Sequence, residues 1–196
     1  MRFGRYPALC SAAAVDQHCA DLLTFSSEFQ APGNAPVSFV AMFEQVDATE
    51  AEFEWLLWRH IQLMHDADRR HFEWDPTVSA DPAHNDFSLS IAGRAFFVVG
   101  MHPNASRLAR RTPVPCMVFN FHDQFVSLKN SDKYATLEAV IRARDTALQG
   151  SVNPVLARFG NMSEARQYSG RAVEQDWVCP LKPGHAPTSS ATRRPP

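Results

Sequence analysis

The sequence predicts a single α+β domain in which helices pack around a mixed or antiparallel central sheet. Two apolar runs, at residues 95–101 and 114–121, are rich in Phe and Val, are bounded by Gly and Pro, and are too short for helices, which is typical of buried strands. Before them, residues 87–91 alternate apolar and serine side chains, so we expect a half-exposed strand that turns at Ala92-Gly93 into the next one. A chain of 196 residues is long enough for one such core.

Helical periodicity predicts two long helices. Residues 48–70 begin with Asp47 and Glu50 at capping-box spacing and carry apolar side chains at helical intervals. Residues 133–149 form a second such pattern, preceded by an N-cap at residues 130–132 and ended by Gly150. The other predicted elements are one or two short helices within residues 12–29, a strand at 37–43, a short helix at 153–160, and a turn or short helix at 163–168.

Composition limits the classes of partner. The formal net charge is −2 and 20% of the residues are charged, which gives no reason to expect nucleic acid or an anionic membrane as partner. No apolar run is long enough to cross a bilayer. The cysteines show neither a C-x-x-C pair nor zinc-ligand spacing, so we expect reduced thiols in a cytoplasmic protein. Residues 181–196 are rich in proline and poor in apolar side chains, which predicts a disordered tail after a folded domain at residues 1–180.

Histidines and arginines concentrate around the two apolar runs. His102 and His122 each follow one run, so both should lie where a strand leaves the core. Arg107, Arg110 and Arg111 lie in the predicted loop or short helix between them. Guanidinium groups beside a histidine at a strand end are suited to hold a metal cofactor and to pair with its carboxylates. The alternative for the same pattern is a solvated arginine face with ordinary core histidines.

Five segments in a fixed order resemble one known family. They read G-M-H-P-N-A-S-R-L-A-R-R, F-N-F-H-D-Q-F, I-R-A-R-D-T-A-L-Q-G-S-V-N-P-V-L, S-E-A-R-Q-Y-S-G-R and D-W-V-C-P. These segments are similar to those of the YqcI/YcgG family, and the resemblance covers about residues 6–180. Studied members of this family are haem-dependent N-hydroxylases that oxidise guanidine or amine nitrogens, including the enzyme of guanitoxin biosynthesis. Relatives tend to carry Pro-Cys near the start, where this chain has Pro7-Ala8 and Cys10 comes two residues late.

The resemblance implies one haem b, whose iron needs a protein ligand. We expect His102 to be the axial ligand, with His122 as the second candidate or as a distal group. Cys179 in W-V-C-P is a further candidate because a thiolate can ligate haem iron, although a buried structural cysteine is the simpler interpretation. We expect the haem propionates, or a substrate carboxylate, to be held by a cofactor-binding group that comprises Ser106, Arg107, Arg110 and Arg111.

The implied substrate is a guanidine or an amine, which stays protonated in water and therefore requires a carboxylate partner. Asp123 and Asp86 flank the predicted strand ends and are the candidates. Two histidines, His122 and His65, are the candidate catalytic groups beside Asp123. His65 lies on the apolar face of the helix at 48–70, with Asp68 near enough to fix its tautomer. A lone histidine on such a face is also common as an ordinary core residue.

Together these expectations describe a haem-dependent oxygenase that hydroxylates a nitrogen of a small guanidine or amine. It would use dioxygen or peroxide, with an electron donor that the sequence does not identify. The alternative is a haem-binding carrier or sensor without oxygenase turnover. A third interpretation is a metal-free binding fold that has lost the cofactor, for which the altered Pro7-Ala8 is the reason. A homodimer is compatible with the sequence.

Overall fold

The computed structural model describes residues 1–29, 36–129, 133–153 and 162–184. Five strands form one sheet: β1 at Arg2–Tyr6, β2 at Ser38–Phe43, β3 at Leu89–Ile91, β4 at Arg94–Met101 and β5 at Cys116–Phe121. The helices are α1 at Ala12–Glu28, α2 at Glu50–Asp68, α3 at His122–Lys129, α4 at Lys133–Gln149 and α5 at Ala165–Tyr168, with a 3-10 turn at Leu108–Arg110.

The sheet is mixed, with strand order β1-β2-β5-β4-β3. β1 and β2 run parallel and are joined through α1, whereas every other neighbouring pair is antiparallel. In the central ladder, Met101 pairs with Cys116 and Phe96 pairs with Phe121. The predicted α+β class with a mixed or antiparallel sheet is therefore confirmed.

One face of the sheet is covered by α1 and α2 and forms the core. Side chains that alternate along the strands meet the two helices there, as expected for strands with one buried face. Phe25 of α1 stacks on Phe121 of β5, with ring centroids 4.7 Å apart. The fully buried aromatic and aliphatic side chains that fill this layer include Leu22, Phe53, Leu57, Ile61, Met64, Phe96 and Phe119.

The opposite face is covered less completely. On α3, Phe125 packs on Phe97 of β4, with ring centroids 5.2 Å apart. On α4, the polar residue Asp145 is buried. The apolar residues of α4 lie outward, and Leu137 and Leu148 are 40% and 52% exposed. The helical period at residues 133–149 therefore predicts the bounds of α4 correctly, although its apolar side chains are not the buried ones.

Two elements differ from the prediction in their ends. The capping box of α2 is formed by Thr49 and Glu52, not by Asp47 and Glu50: the Glu52 N–H donates to the Thr49 hydroxyl, and the Thr49 N–H donates to Glu52. The folded region also extends past residue 180, because Leu181 is 4% exposed and the Lys182 N–H donates to Gln62 Oε1.

The predicted half-exposed strand at residues 87–91 is wrong in its exposure, since Ser88 and Ser90 are both buried. Each serine has a polar partner that makes burial acceptable. The Ser88 hydroxyl donates to Glu164 at 2.6 Å, and the Ser90 hydroxyl accepts the Asp75 N–H at 2.9 Å. Serine in an alternating pattern therefore marks a buried polar contact here and not a solvent face.

β1 and α3 have no counterpart in the sequence prediction, whereas the two long helices, β4 and β5 were expected. Gly150 ends α4 with a positive φ of 76°, as predicted. The predicted N-cap at 130–132 and most of the predicted helix at 153–160 lie outside the described residues. So does nearly all of the predicted tail, from residue 185 onward.

Candidate functional site

The antiparallel ladder between β4 and β5 separates the two candidate iron ligands. His102 follows Met101 at one end of the ladder, and His122 follows Phe121 at the other end. Met101 and Phe96 are five residues apart on β4, which corresponds to ~17 Å along a strand. His102 and His122 therefore lie at opposite ends of the ladder, and the role of His122 as a distal group opposite His102 stays a prediction.

His102 is held rigidly at the end of β4. Its backbone N–H donates to the Arg110 carbonyl at 3.0 Å, and its ring stacks on Phe53 of α2 with centroids 4.4 Å apart. The residue is only 2% exposed. Burial lowers the pKa of His102, although the Glu50 carboxylate acts in the opposite direction, so the imidazole is neutral at physiological pH.

Neither ring nitrogen of His102 has a hydrogen-bond partner in the described part of the chain. Unpartnered buried polar atoms are rare in folded proteins and call for an explanation such as a missing ligand. Nε of Arg107, five residues after His102, is also buried without a hydrogen-bond partner in the described part of the chain. A neutral, rigidly held imidazole with free nitrogens has the chemistry of a metal ligand.

Arg107 is bound by α4 and the segment after it. Its guanidinium lies 2.7 Å from Asp145 Oδ1, and it donates to the hydroxyl and the carbonyl of Ser151. Burial tends to raise the pKa of Asp145, but the hydrogen bonds from Arg107 and the Asn153 N–H outweigh burial and lower it. Arg107 and Asp145 are thus a buried ion pair that fixes α4 to the loop after His102.

The other members of the predicted cofactor-binding group also bind parts of the chain. Arg110 donates to the carbonyls of Gly100 and Gln167, and burial lowers its pKa to about 10. Ser106 donates from its N–H and its hydroxyl to Glu50 Oε1. Arg111 donates from Nε to the Ala105 carbonyl at 2.7 Å. Within the described residues, the terminal nitrogens of Arg111 have no such bond, so Arg111 retains donors for a ligand.

Three of the five segments that carry the family resemblance meet at this end of the sheet. The segment with His102 is bonded to the segment with Asp145 through Arg107, and to the segment with Gln167 through Arg110. We call His102, Arg107, Arg110 and Asp145 the His102 cluster.

Sequence reasoning missed Asp145, and it also missed the nearby pair of Glu54 on α2 with Arg171. For Glu54 a signal existed, because a carboxylate beside Phe53 and near Leu57 lies on an apolar helix face.

His122 belongs to a different polar group. Its Nδ1 lies 3.7 Å from Oε2 of Glu164, which is 4% exposed. Oε1 of the same carboxylate accepts the hydroxyls of Ser88 and Tyr168, at 2.6 and 2.5 Å. His122 also lines a cleft of about 520 Å³ with Thr77, Asp123, Val126 and Ser127. A histidine backed by a buried carboxylate beside a cleft is suited to acid–base chemistry.

The candidate carboxylates are placed differently from each other. Asp123 lies in the His122 cleft and forms an ion pair with Arg94 at 2.9 Å. Asp86 is exposed in a turn, 3.8 Å from His84, and lines neither that cleft nor a second cleft beside His65. The structure therefore brings Asp123, but not Asp86, next to a candidate histidine.

His65 lies near the end of α2, twelve residues after Phe53, which is ~18 Å along the helix axis. Because Phe53 stacks on His102, His65 and His102 lie near opposite ends of α2. Among the described residues no hydrogen bond joins Asp68 to His65, and Asp68 Oδ1 instead accepts the Ala92 N–H at 2.8 Å. His65 packs edge-on against Trp74, and burial lowers its pKa.

Cys179 is half-buried, and burial raises the pKa of its thiol to about 12. The thiol is therefore protonated at physiological pH, which agrees with the structural interpretation of Cys179. Its role as an iron ligand stays a prediction, because a metal deprotonates the thiol that binds it. Among the described residues, no group of three or more His, Cys, Asp or Glu side chains is arranged to hold a metal ion. An axial haem ligand is a single side chain, so this observation leaves the prediction for His102 untested.

Comparison with known proteins gives one match. Searches of curated proteins and of solved structures found no significant similarity. No helix in the described ranges has the length and apolar character needed to cross a membrane. The model of the YqcI/YcgG family matches residues 1–182, which is nearly the whole chain. The chain therefore belongs to the YqcI/YcgG family.

Proposed function

We propose that this chain binds one haem b through His102 and hydroxylates a nitrogen of a small guanidine or amine. The observation that supports the proposal is the pair of unpartnered nitrogens on the buried His102 imidazole. Family membership supports it as well, because the expectation of haem chemistry came from the family resemblance. When bound, the haem would supply the oxygen-activating chemistry, with dioxygen and an electron donor or with peroxide.

The donor chemistry of the His102 cluster fits a haem. Burial keeps the His102 imidazole neutral, which is the protonation state that binds iron. Arg111, with terminal nitrogens unbonded within the described residues, is the arginine that would pair with a propionate. Arg107 and Arg110 would hold the surrounding chain in place, because their guanidinium groups already bind Asp145, Gly100 and Gln167.

The imidazole is enclosed as it stands. Phe53 covers one face of the ring, and neither of the two clefts described among these residues is lined by His102. Binding of a macrocycle would therefore require movement of Phe53 or of the turn at residues 103–111. Glu50, whose charge acts on His102 and which is only partly buried, is the carboxylate we assign to holding a cationic substrate near this position.

The same enclosure favours a second candidate function, a haem-binding carrier or sensor without oxygenase turnover. Neither of the two described clefts is lined by His102, so the described residues show no space for a substrate beside it. The predicted catalytic candidates His122, Asp123 and His65 stay predictions. His122 and Asp123 follow the end of the β4–β5 ladder that is opposite His102, and His65 lies ~18 Å along α2 from Phe53.

Absorption spectroscopy tests the proposal. Haemin would be titrated into the full chain and into three variants: His102→Ala, His122→Ala, and the matched control His84→Ala, which removes an exposed histidine. We expect a saturable shift of the Soret band from its position in free haemin, and we expect this shift to be lost in His102→Ala alone. Loss of the haem signal in His122→Ala alone would indicate that His122, and not His102, is the iron ligand. A Soret band that stays at the position of free haemin in every protein would favour the metal-free fold.

Activity separates the oxygenase from the carrier. The loaded protein would receive an electron donor and dioxygen, or peroxide, with a panel of guanidines and amines. N-hydroxylated product from the wild type but not from His102→Ala is the expected result. Haem binding without product from any substrate on the panel would favour the carrier or sensor.

A further inference from the structure

Tyr168 on α5 is fully buried and belongs to a stack of three aromatic side chains. Its ring stacks on the indole of Trp58 on α2, with ring centroids 5.5 Å apart and the ring planes inclined by 17°. The Trp58 ring in turn lies 6.0 Å from the ring of Trp177. Tyr168 and Trp58 are 0% and 2% exposed, whereas Trp177 is only half-buried. The three rings therefore connect the interior of the protein with its surface.

The phenol of Tyr168 is in contact with a buried base. Its hydroxyl lies 2.5 Å from Oε1 of Glu164, which is the nearer acceptor, since the Phe96 carbonyl is 3.1 Å away. The same carboxylate oxygen accepts the hydroxyl of Ser88 at 2.6 Å. Burial, and then the charge of Glu164, raises the pKa of Tyr168, so the phenol keeps its proton in the resting protein. A phenol that loses an electron becomes a strong acid, and Glu164 is placed to take its proton.

The two tryptophans are less able to hold an oxidised state. Within the described residues, Nε1 of Trp58 is buried without a hydrogen-bond partner, so an oxidised Trp58 has no acceptor for its proton. At Trp177, the Arg166 guanidinium lies over the ring, with Cζ 5.6 Å from the ring centroid. This positive charge opposes the formation of a second positive charge on the indole. If Trp177 loses an electron, the electron deficit should therefore move inward and come to rest at Tyr168.

We propose that Tyr168 is a redox-active tyrosine that is oxidised through Trp58 and Trp177. A one-electron oxidant in solution, such as a radical derived from peroxide, takes an electron from Trp177. Trp58 replaces that electron, and Tyr168 replaces the electron that Trp58 has lost. The phenolic proton passes to Glu164, which leaves a neutral tyrosyl radical, a protonated carboxyl group and the reduced oxidant. Tyr168 thus acts as a sink for oxidising equivalents, and no step of this transfer involves His102 or a haem.

Electron paramagnetic resonance of the full chain without haem tests the proposal. The sequence contains three tyrosines, so Tyr6→Phe combined with Tyr134→Phe leaves Tyr168 as the single tyrosine. A ruthenium polypyridyl complex with persulfate and light supplies the one-electron oxidant. We expect a tyrosyl radical signal from this single-tyrosine protein, and we expect Tyr168→Phe to remove it. Because Tyr168 is 0% exposed, the oxidant cannot touch its ring, and the electron must leave through the protein.

Variants of the single-tyrosine protein test the route and the base. Trp177→Phe keeps an aromatic ring that is much harder to oxidise, and should slow formation of the radical at least about tenfold. Trp55→Phe is the matched control, because Trp55 is 64% exposed and lies outside the three-ring stack, and it should change nothing. Glu164→Gln keeps an acceptor for the Ser88 and Tyr168 hydroxyls but is not a base, and should slow formation at least about tenfold. The radical should also form more slowly in D2O than in H2O.

Three results would overturn the proposal. They are absence of a tyrosyl signal in the single-tyrosine protein, equal rates of radical formation in Trp177→Phe and Trp55→Phe, and a rate that neither Glu164→Gln nor D2O changes. The comparison in D2O needs no substitution at Glu164, so it remains informative if Glu164→Gln fails to fold. The protein is free of haem throughout, which keeps this test separate from the haem proposal.

Discussion

The buried histidine pair between α1 and α2 should make the fold sensitive to acid. The Cys10 N–H donates to Nδ1 of His60 at 3.1 Å, so Nδ1 is unprotonated and the ring proton is on Nε2. Nε2 lies 3.2 Å from Nδ1 of His18, to which it therefore donates. This arrangement requires both rings to be neutral. Protonation of His60 at Nδ1 would place two donors against each other and break the bond to Cys10.

The size of the stability loss on acidification follows from the pKa of His60, which burial lowers from 6.5 to about 4. In the unfolded chain the imidazole takes up a proton near pH 6.5, whereas in the folded protein it does so only near pH 4. Stability is therefore fully present above pH 6.5 and is lost as the pH falls towards 4, at ~1.4 kcal/mol per pH unit. Between pH 7.5 and 5 this amounts to about 2 kcal/mol for His60 alone. The pKa of His18 is also lowered, by burial and then by the charge of His60, which adds in the same direction.

Urea denaturation at pH 7.5 and at pH 5 measures this effect in the wild type and in His60→Asn. The Asn side chain retains an acceptor for the Cys10 N–H but cannot titrate. Asp68 acts in the opposite direction, because burial raises its pKa to about 6 and the folded protein then gains stability as the pH falls. Its contribution is common to both proteins and cancels in the comparison. We expect the loss on acidification to be about 2 kcal/mol smaller in His60→Asn. Equal losses in the two proteins would refute the assigned protonation states.

Two further predictions concern stability, and urea midpoints measure both. Gly100→Ala should cost about 1–3 kcal/mol, because a Cβ there would lie 2.5 Å from Leu57 Cδ1 and 2.8 Å from the Tyr168 carbonyl; an unchanged midpoint would show that α2 and α5 can move apart. Arg107→Met should cost about 3–5 kcal/mol by leaving Asp145 as an unpaired buried charge. Adding Asp145→Leu should recover most of that loss. Failure to recover it would mean that the broken ion pair between Arg107 and Asp145 does not cause the destabilisation.

The central strands were predictable because their signal is local. β4 and β5 consist mostly of apolar residues, and Gly93 and Pro115 mark where they begin. β1 was not predictable in the same way, since it is a five-residue edge strand with two arginines, and its apolar Phe3 is 63% exposed. Its pairing with β2 depends on α1 returning the chain to the same sheet, which no local pattern reveals.

The candidate site shows the same division between local and distant information. The sequence identified His102 and the three arginines near it, but it grouped them with His122 because all lie within about twenty residues. Because β4 and β5 run antiparallel, the residues that follow them lie at opposite ends of the ladder, which separates His122 from His102. The partner of Arg107 was missed because Asp145 comes from a helix whose apolar face suggested a different inward side.

The order of the strands also bears on synthesis by the ribosome. β2 lies inside the finished sheet, between β1 and β5, yet β5 comes much later in the chain, since Met42 pairs with Cys116, 74 residues further along. At a translation rate of ~5–20 residues per second, that neighbour emerges about 4 to 15 s after β2. During this interval the edge of β2 that later pairs with β5 is unpaired in the nascent β1–α1–β2 unit, with Phe39 and Phe43 on that strand. Such an edge is a site for mispairing, so high-level expression of this protein should benefit from slower translation or from added chaperones.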